Sequence, residues 1–207
     1  MRVVNMVVLI RNLQSRTLLN LPGLLQNCNT LVDILRISYF DVNVIFVGKG
    51  FIKSLNLRYR RKNVVTDILS FPSIENLTPG VLPPLPRPVD DYTLGDIVLG
   101  TPKIVEDCEA DGKHLDDYLP VLITHGLCHL LGYTHDTQKK LNKMRSKEME
   151  VLTEFNRRSG LKTVPIMPEK IEHLKYKPLP DEKKIVTDEI AVHERMNNKV
   201  EEVLREE

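Results

Sequence analysis

Apolar residues along this chain fall into two kinds of pattern: short β-branched runs, and stripes whose members lie three or four positions apart. Met6 to Leu13 (MVVLIRNL) reads as a partly buried first strand, an apolar run that gives way to polar residues. Leu24, Leu25, Cys28, Leu31 and Leu35 share one face of a helix over Leu24 to Leu35. Asp41 to Val47 (DVNVIFV) predicts a second strand, closed by Gly48 and Gly50. Ile52, Leu55 and Tyr59 mark a second helix that ends in the basic run Arg58, Arg60, Arg61, Lys62. Thr66 to Phe71 (TDILSF) predicts a strand stopped by Pro72, and residues 72–92, with six prolines and little periodicity, predict a long surface loop. Gly95 to Gly100 returns as a short strand, and Pro102 opens a helix at a position where proline is tolerated.

The next helix is the most informative. Asp116 or Asp117 is expected to cap it, Pro120 to sit in its first turn, and the run continues as PVLITHGLCHLL, apolar on nearly every side. Such a helix is buried, and Gly132 ends it. Another begins near Thr137, with Leu141, Met144, Glu148, Leu152 and Phe155 spaced three or four apart, and it ends at Arg157, Arg158 and Gly160. The elements together predict an α+β domain, a small mixed sheet of about four strands surrounded by helices, over residues 1–160. From Leu161 the character changes. Four prolines between Val164 and Pro180, followed by mixed charge, suggest a linker, and Thr187 could cap a last helix with Ile190, Met196, Val200 and Leu204 as a thin apolar stripe. Residues 161–207 are therefore expected to form a tail outside the main fold.

Composition narrows the class without choosing a function. At 42% hydrophobic and 28% charged, the chain reads as an ordinary globular protein. The longest apolar stretch, Leu119 to Tyr133, is broken by Thr124, His125 and His129, so a membrane role is not expected. A formal charge of +1 neither supports nor opposes a nucleic-acid partner, because a basic face can exist on a neutral chain. Cys28, Cys108 and Cys128 lie far apart with no CxxC spacing, which argues for a reducing compartment rather than a disulfide scaffold. No acidic residue precedes Asp33, while Arg2, Arg11 and Arg16 are present, a pattern shared with mitochondrial presequences; the apolar run favours a first strand of the fold instead.

The chemistry concentrates in His125-Gly126-Leu127-Cys128-His129-Leu130-Leu131-Gly132-Tyr133-Thr134-His135, which holds half of the six histidines. Histidines at i and i+4 share a helical face and can reach one ion. A histidine at i+10 would lie about 15 Å along a straight helix, so the chain must turn back to bring it in. Gly132 supplies the turn, since glycine accepts the left-handed backbone that ends a helix. Three histidines predict one zinc ion per chain with its fourth position open, where zinc supplies an acidified water and a polarised scissile group. The spacing equals that of metzincin peptidases, except that Gly126 stands where a peptidase needs glutamate as general base.

HGLCHLLGYTH resembles the HGxxHLxGxxH signature of the YbeY family of single-strand-specific endoribonucleases, which act in ribosomal RNA maturation. LNLRYRRKNVVTDILSFP (Leu55 to Pro72), LGDIVLG (Leu94 to Gly100) and LIRNLQ near the start are similar to further family segments, in the expected order. The resemblance covers roughly residues 6–160 and is closer to an animal member than to a bacterial one. It implies zinc ligands at His125, His129 and His135, and catalytic roles for His125 and Arg60. It also implies single-stranded or ribosomal RNA as substrate, ribosomal subunit proteins as possible partners, and mitochondrial ribosomes as the place of action. Ser73 stands where the family commonly has an aromatic residue, and the loop at 74–91 is long.

Around that core, Arg58, Arg60, Arg61 and Lys62 could bind RNA phosphates, though a basic helix end also complements the helix dipole. Asp67 and Asp96 could orient ligand histidines, or could cap and pair within the fold. Cys128 is more simply a small buried side chain than a fourth ligand, and Asp136 a helix cap rather than a proton carrier. Two alternatives to the nuclease stay open: a ribosome-assembly factor with a structural zinc, and a metallopeptidase, the latter opposed by Gly126.

Overall fold

The computed structural model describes residues 8–84 and 93–166. β1 (Val8–Asn12) is followed by α1 (Leu21–Ile34), β2 (Asp41–Val47), α2 (Lys49–Arg60), β3 (Ile68–Pro72), β4 (Thr93–Gly100), α3 (Thr101–Asp111), α4 (Leu115–Leu130) and α5 (Gln138–Ser159). The four strands form one sheet in the order β1-β2-β4-β3. β1, β2 and β4 run parallel, and β3 lies antiparallel against β4. Parallel neighbours need a crossover, which α1 provides between β1 and β2. The α+β class, the mixed sheet and every element predicted within the described residues are present. The helix expected from Thr187 and the residues before Val8 lie outside the described residues.

Several boundaries differ from the sequence reading, each for a local reason. α1 starts a turn before Leu24 because the Asn20 side chain accepts from Gly23 N at 3.1 Å, with Pro22 in the first turn. β3 begins at Ile68 rather than Thr66, because Asp67 Oδ1 accepts from Thr66 Oγ1 and from Ile68 N and closes a turn there. α4 is capped by neither Asp116 nor Asp117. It starts at Leu115 after His114, so both carboxylates occupy the first turn, where they complement the helix dipole, and Pro120 lies inside the helix. α5 matches closely, with Thr137 accepting from Lys140 N and Gly160 in the left-handed region beyond its end.

β4 is the centre of the molecule, buried from Leu94 to Gly100 and covered on both faces. Ile97 faces α4, and Gly100, three residues on and so on the opposite face, packs against Ile52 of α2. α4 is buried from Tyr118 to Cys128, as its all-round apolar sequence requires. It sits between the sheet and α1, α3 and α5, sharing one core with Leu31, Phe46, Ile97, Met144 and Phe155. Gly126 lets it approach closely, since a Cβ there would stand 2.9–3.1 Å from three side-chain carbons of Ile97. The stretch after α5 stays with this body: Asn156 donates to the carbonyl of Thr163 and accepts from its backbone N–H and hydroxyl. Among the described residues no helix is long and apolar enough to cross a membrane.

α4 ends where the chain reverses at Gly132, φ +81°. The proline-rich connection crosses this exit loop, with Leu77 packed on Gly132 and Lys143 donating to the Pro79 carbonyl at 2.8 Å. A Cβ at 132 would therefore meet both an unfavourable backbone and the Leu77 carbonyl oxygen. Left-handed strain of about 1–2 kcal/mol and overpacking of about 1–3 kcal/mol act together here, so Gly132→Ala should lower the unfolding free energy by about 2–5 kcal/mol. Urea denaturation measures this, and a loss below about 0.5 kcal/mol would contradict the packing described.

Candidate metal centre

α4 carries His125 and His129 one turn apart, and both rings are anchored through Nδ1. His125 Nδ1 donates to Glu148 Oε1 on α5 over 2.7 Å, and His129 Nδ1 donates to the Tyr133 carbonyl over 2.9 Å. Donation through Nδ1 leaves Nε2 of each neutral ring with a bare lone pair. Those two Nε2 atoms face each other 3.0 Å apart. Two lone pairs at that distance repel unless a cation lies between them. The Gly132 reversal adds His135, whose ring centre is 5.5 Å from that of His125 and 5.0 Å from that of His129. One ligand nitrogen from each histidine lies within 4.8 Å of the others. Nδ1 of His135 is buried with no hydrogen-bond partner among the described residues. The donor set fits a divalent metal.

The electrostatics agree. Burial is the first cause that holds His129 well below its usual value of 6.5, and the charges of His125, His135 and Arg60 push the same way. His135 is lowered to about 4, again by burial first and then by His125 and Arg60. Imidazoles that stay neutral at pH 7 are the form that binds metal.

Arg60 is the last residue of α2 and partly buried, and its charge lowers both His135, where burial and His125 weigh more, and His129, where it is the smallest of the causes. Of the other cations of the basic run, Arg58 lies over the Tyr59 ring at 5.8 Å, and Arg61 and Lys62 are exposed. Arg61 takes a left-handed conformation, φ 59°, and caps α2. Tyr59 in turn meets Phe71 of β3 edge-on at 5.0 Å, which fastens this helix end to the sheet. Buried Asn56 holds the turn beyond it, donating to the Val64 carbonyl at 2.8 Å and accepting from Lys62 N at 3.2 Å.

Neither aspartate considered for orienting the histidines does so. Asp67 closes the turn before β3, and Asp96 accepts from Asn43 Nδ2 at 2.6 Å, its carboxyl raised by burial. Their expected place is taken by Glu148 and the Tyr133 carbonyl. Glu148 had a sequence signal, an acid in the apolar stripe of α5 between Met144 and Leu152, and it is 1% exposed. The Tyr133 carbonyl had none, because backbone acceptors carry no side-chain signature. Cys128 is part of the hydrophobic core, and Asp136 accepts from Thr134 Oγ1 and Lys140 Nζ beside the start of α5.

Comparison with known proteins gives one consistent result. The family described as endoribonuclease YbeY matches residues 15–156. A human protein named endoribonuclease YbeY is 41% identical over 161 residues, spanning 78% of this chain and 95% of its own. The protein of the same name from Thermodesulfovibrio yellowstonii is 37% identical over 56% of this chain and 67% of its own. That from Caldicellulosiruptor bescii is 34% identical over 60% and 78%.

His129→Ala should lose most of the bound metal, measured as metal content after dialysis, since two imidazoles hold zinc far more loosely than three. The metal-free protein should also lose stability in acid. Unfolded histidines take up protons near 6.5, whereas His135 does so only near 4 and His129 well below 6.5. The unfolded chain thus binds more protons across that interval, and the contribution present above pH 6.5 is lost as pH falls through it. Urea unfolding in chelator should show this decline, and it should be smaller in the H129N/H135N double variant. An equal decline in that variant would contradict the assignment.

Proposed function

The chain belongs to the YbeY endoribonuclease family, and we propose that it is a zinc-dependent endoribonuclease that hydrolyses phosphodiester bonds in single-stranded RNA, with ribosomal RNA as its substrate. The observation that carries this reading is the convergence of three histidines, two of them held neutral at pH 7, within the field of Arg60. His125, His129 and His135 are the ligands. Zinc held there would supply an acidified water and a Lewis acid for the scissile phosphate. The open fourth position of a three-histidine set fits catalysis better than a closed structural site.

The protein's own residues account for the remaining work. Cleavage of a phosphodiester concentrates negative charge on the phosphoryl oxygens, and a guanidinium can take two of them at once. Arg60 is suited to this task because its helix end is pinned by Asn56 and by the Tyr59–Phe71 contact. A site that is already arranged loses little on reorganising around the developing charge. A peptidase reading fails on geometry as well as on identity. Position 126 faces Ile97 of the sheet, so a glutamate there would enter the core instead of reaching substrate.

Cleavage of a labelled single-stranded RNA and of its duplex separates the possibilities. Wild type should cut the single strand in preference and stop in chelator. Arg60→Ala should retain zinc and fold, because a partly exposed arginine at a helix end adds little stability. Its cleavage rate should nevertheless fall by on the order of 100-fold. Normal cleavage by Arg60→Ala, together with simple unfolding of His129→Ala, would mean that the metal orders the fold and that assembly rather than cleavage is the task.

A further inference from the structure

Glu148 is the one buried acid of α5, set among Met144, Val151, Leu152 and Phe155 at 1% exposure. Oε1 accepts from His125 Nδ1 at 2.7 Å, and Oε2 is buried and accepts nothing. No lysine or arginine is paired with it among the described residues. Its neighbour Lys147 pairs outward with Glu150 at 2.7 Å. A carboxylate so placed is costly, because one hydrogen bond to Oε1 and none to Oε2 does not replace its hydration. Packing alone would favour methionine or leucine at this position. The missing compensation lies on the far side of the same imidazole, where Nε2 of His125 faces Nε2 of His129 at 3.0 Å.

We propose that Glu148 is a positioning residue whose negative charge, acting through the His125 ring, tightens the hold on the divalent metal and weakens the metal-free fold in exchange. This deepens the reading of the three histidines as a metal centre and does not depend on what the centre cleaves. The carboxylate keeps the Nδ1 proton in place, orients the ring, and makes Nε2 a stronger electron-pair donor. It also offsets part of the ion's double charge in a region with little water. Because Glu148 belongs to α5 and His125 to α4, a metal bound by His125 would be supported from both helices through this pair.

Glu148→Gln separates charge from shape, since the amide oxygen can still accept from Nδ1. Competition for zinc against a chromophoric chelator should show about 10–100-fold weaker binding by E148Q than by wild type. Urea unfolding in excess chelator should show E148Q at least as stable as wild type. A loss of zinc affinity with no loss of metal-free stability is a pair of changes that a purely structural tie between helices does not produce. E148D, which keeps the charge on a shorter arm, should recover part of the affinity. If E148Q does not fold, E148M replaces it with the same expectations. Unchanged zinc affinity in E148Q, with lower stability in chelator, would overturn the proposal and leave Glu148 as a helix-to-helix tie. A wild-type chain that takes up no zinc would overturn the metal-centre reading itself, and this inference with it.

Discussion

Three histidines are held with a ligand nitrogen of each within 4.8 Å of the others, and much of the molecule serves to keep them there. His125 and His129 come from a helix too deeply buried to adjust, anchored on β4 through Gly126 and Ile97. Their tautomers are set from outside the cluster, one by Glu148 and the other by the Tyr133 carbonyl. His135 cannot come from that helix, so the chain reverses at Gly132, and the segment around Leu77 packs over the reversal. Together these features place histidine nitrogens where a bound ion would supply attraction.

The cation beside the cluster is held with similar care. Arg60 ends α2, a helix packed on the opposite face of the sheet from α4. Its approach to the histidines is fixed by Asn56 behind it and by Tyr59 against Phe71. The neighbouring Arg58, Arg61 and Lys62 share its charge without sharing its place. Electrostatic stabilisation of a phosphoryl transfer depends on a fixed position more than on the number of cations nearby. The Arg60 role is therefore a statement about α2 and the loop beyond it as much as about one side chain.

Much of this was legible in the residues, and what was not has physical causes. Periodicity found every element in the described residues because strands and helices here bury distinct faces, and DVNVIFV even gives β2 its full length. The histidine spacing pointed to the cluster, since i, i+4 and a glycine-reversed i+10 leave little geometric freedom. Helix starts were less legible: Asp116 and Asp117 suit a cap and a first turn equally well, and only packing chose between them. Of the two roles open to Asp67 and Asp96, the local one holds, a turn for Asp67 and a cross-strand pair for Asp96, and no sequence pattern separates it from orienting a histidine. Glu148 was visible as an acid in an apolar stripe, but its target depends on how α5 crosses α4, which no local pattern encodes.

We propose that one ion bound by these three histidines equips the protein to cleave RNA. The most direct measurement is a stoichiometric titration: protein stripped by chelator and dialysed receives zinc in steps, while cleavage of a single-stranded RNA is followed at each step. The account predicts no cleavage at the start, a linear rise, and a plateau at one zinc ion per chain. Cleavage by the stripped protein, or a fully loaded protein that leaves the RNA intact, would contradict it.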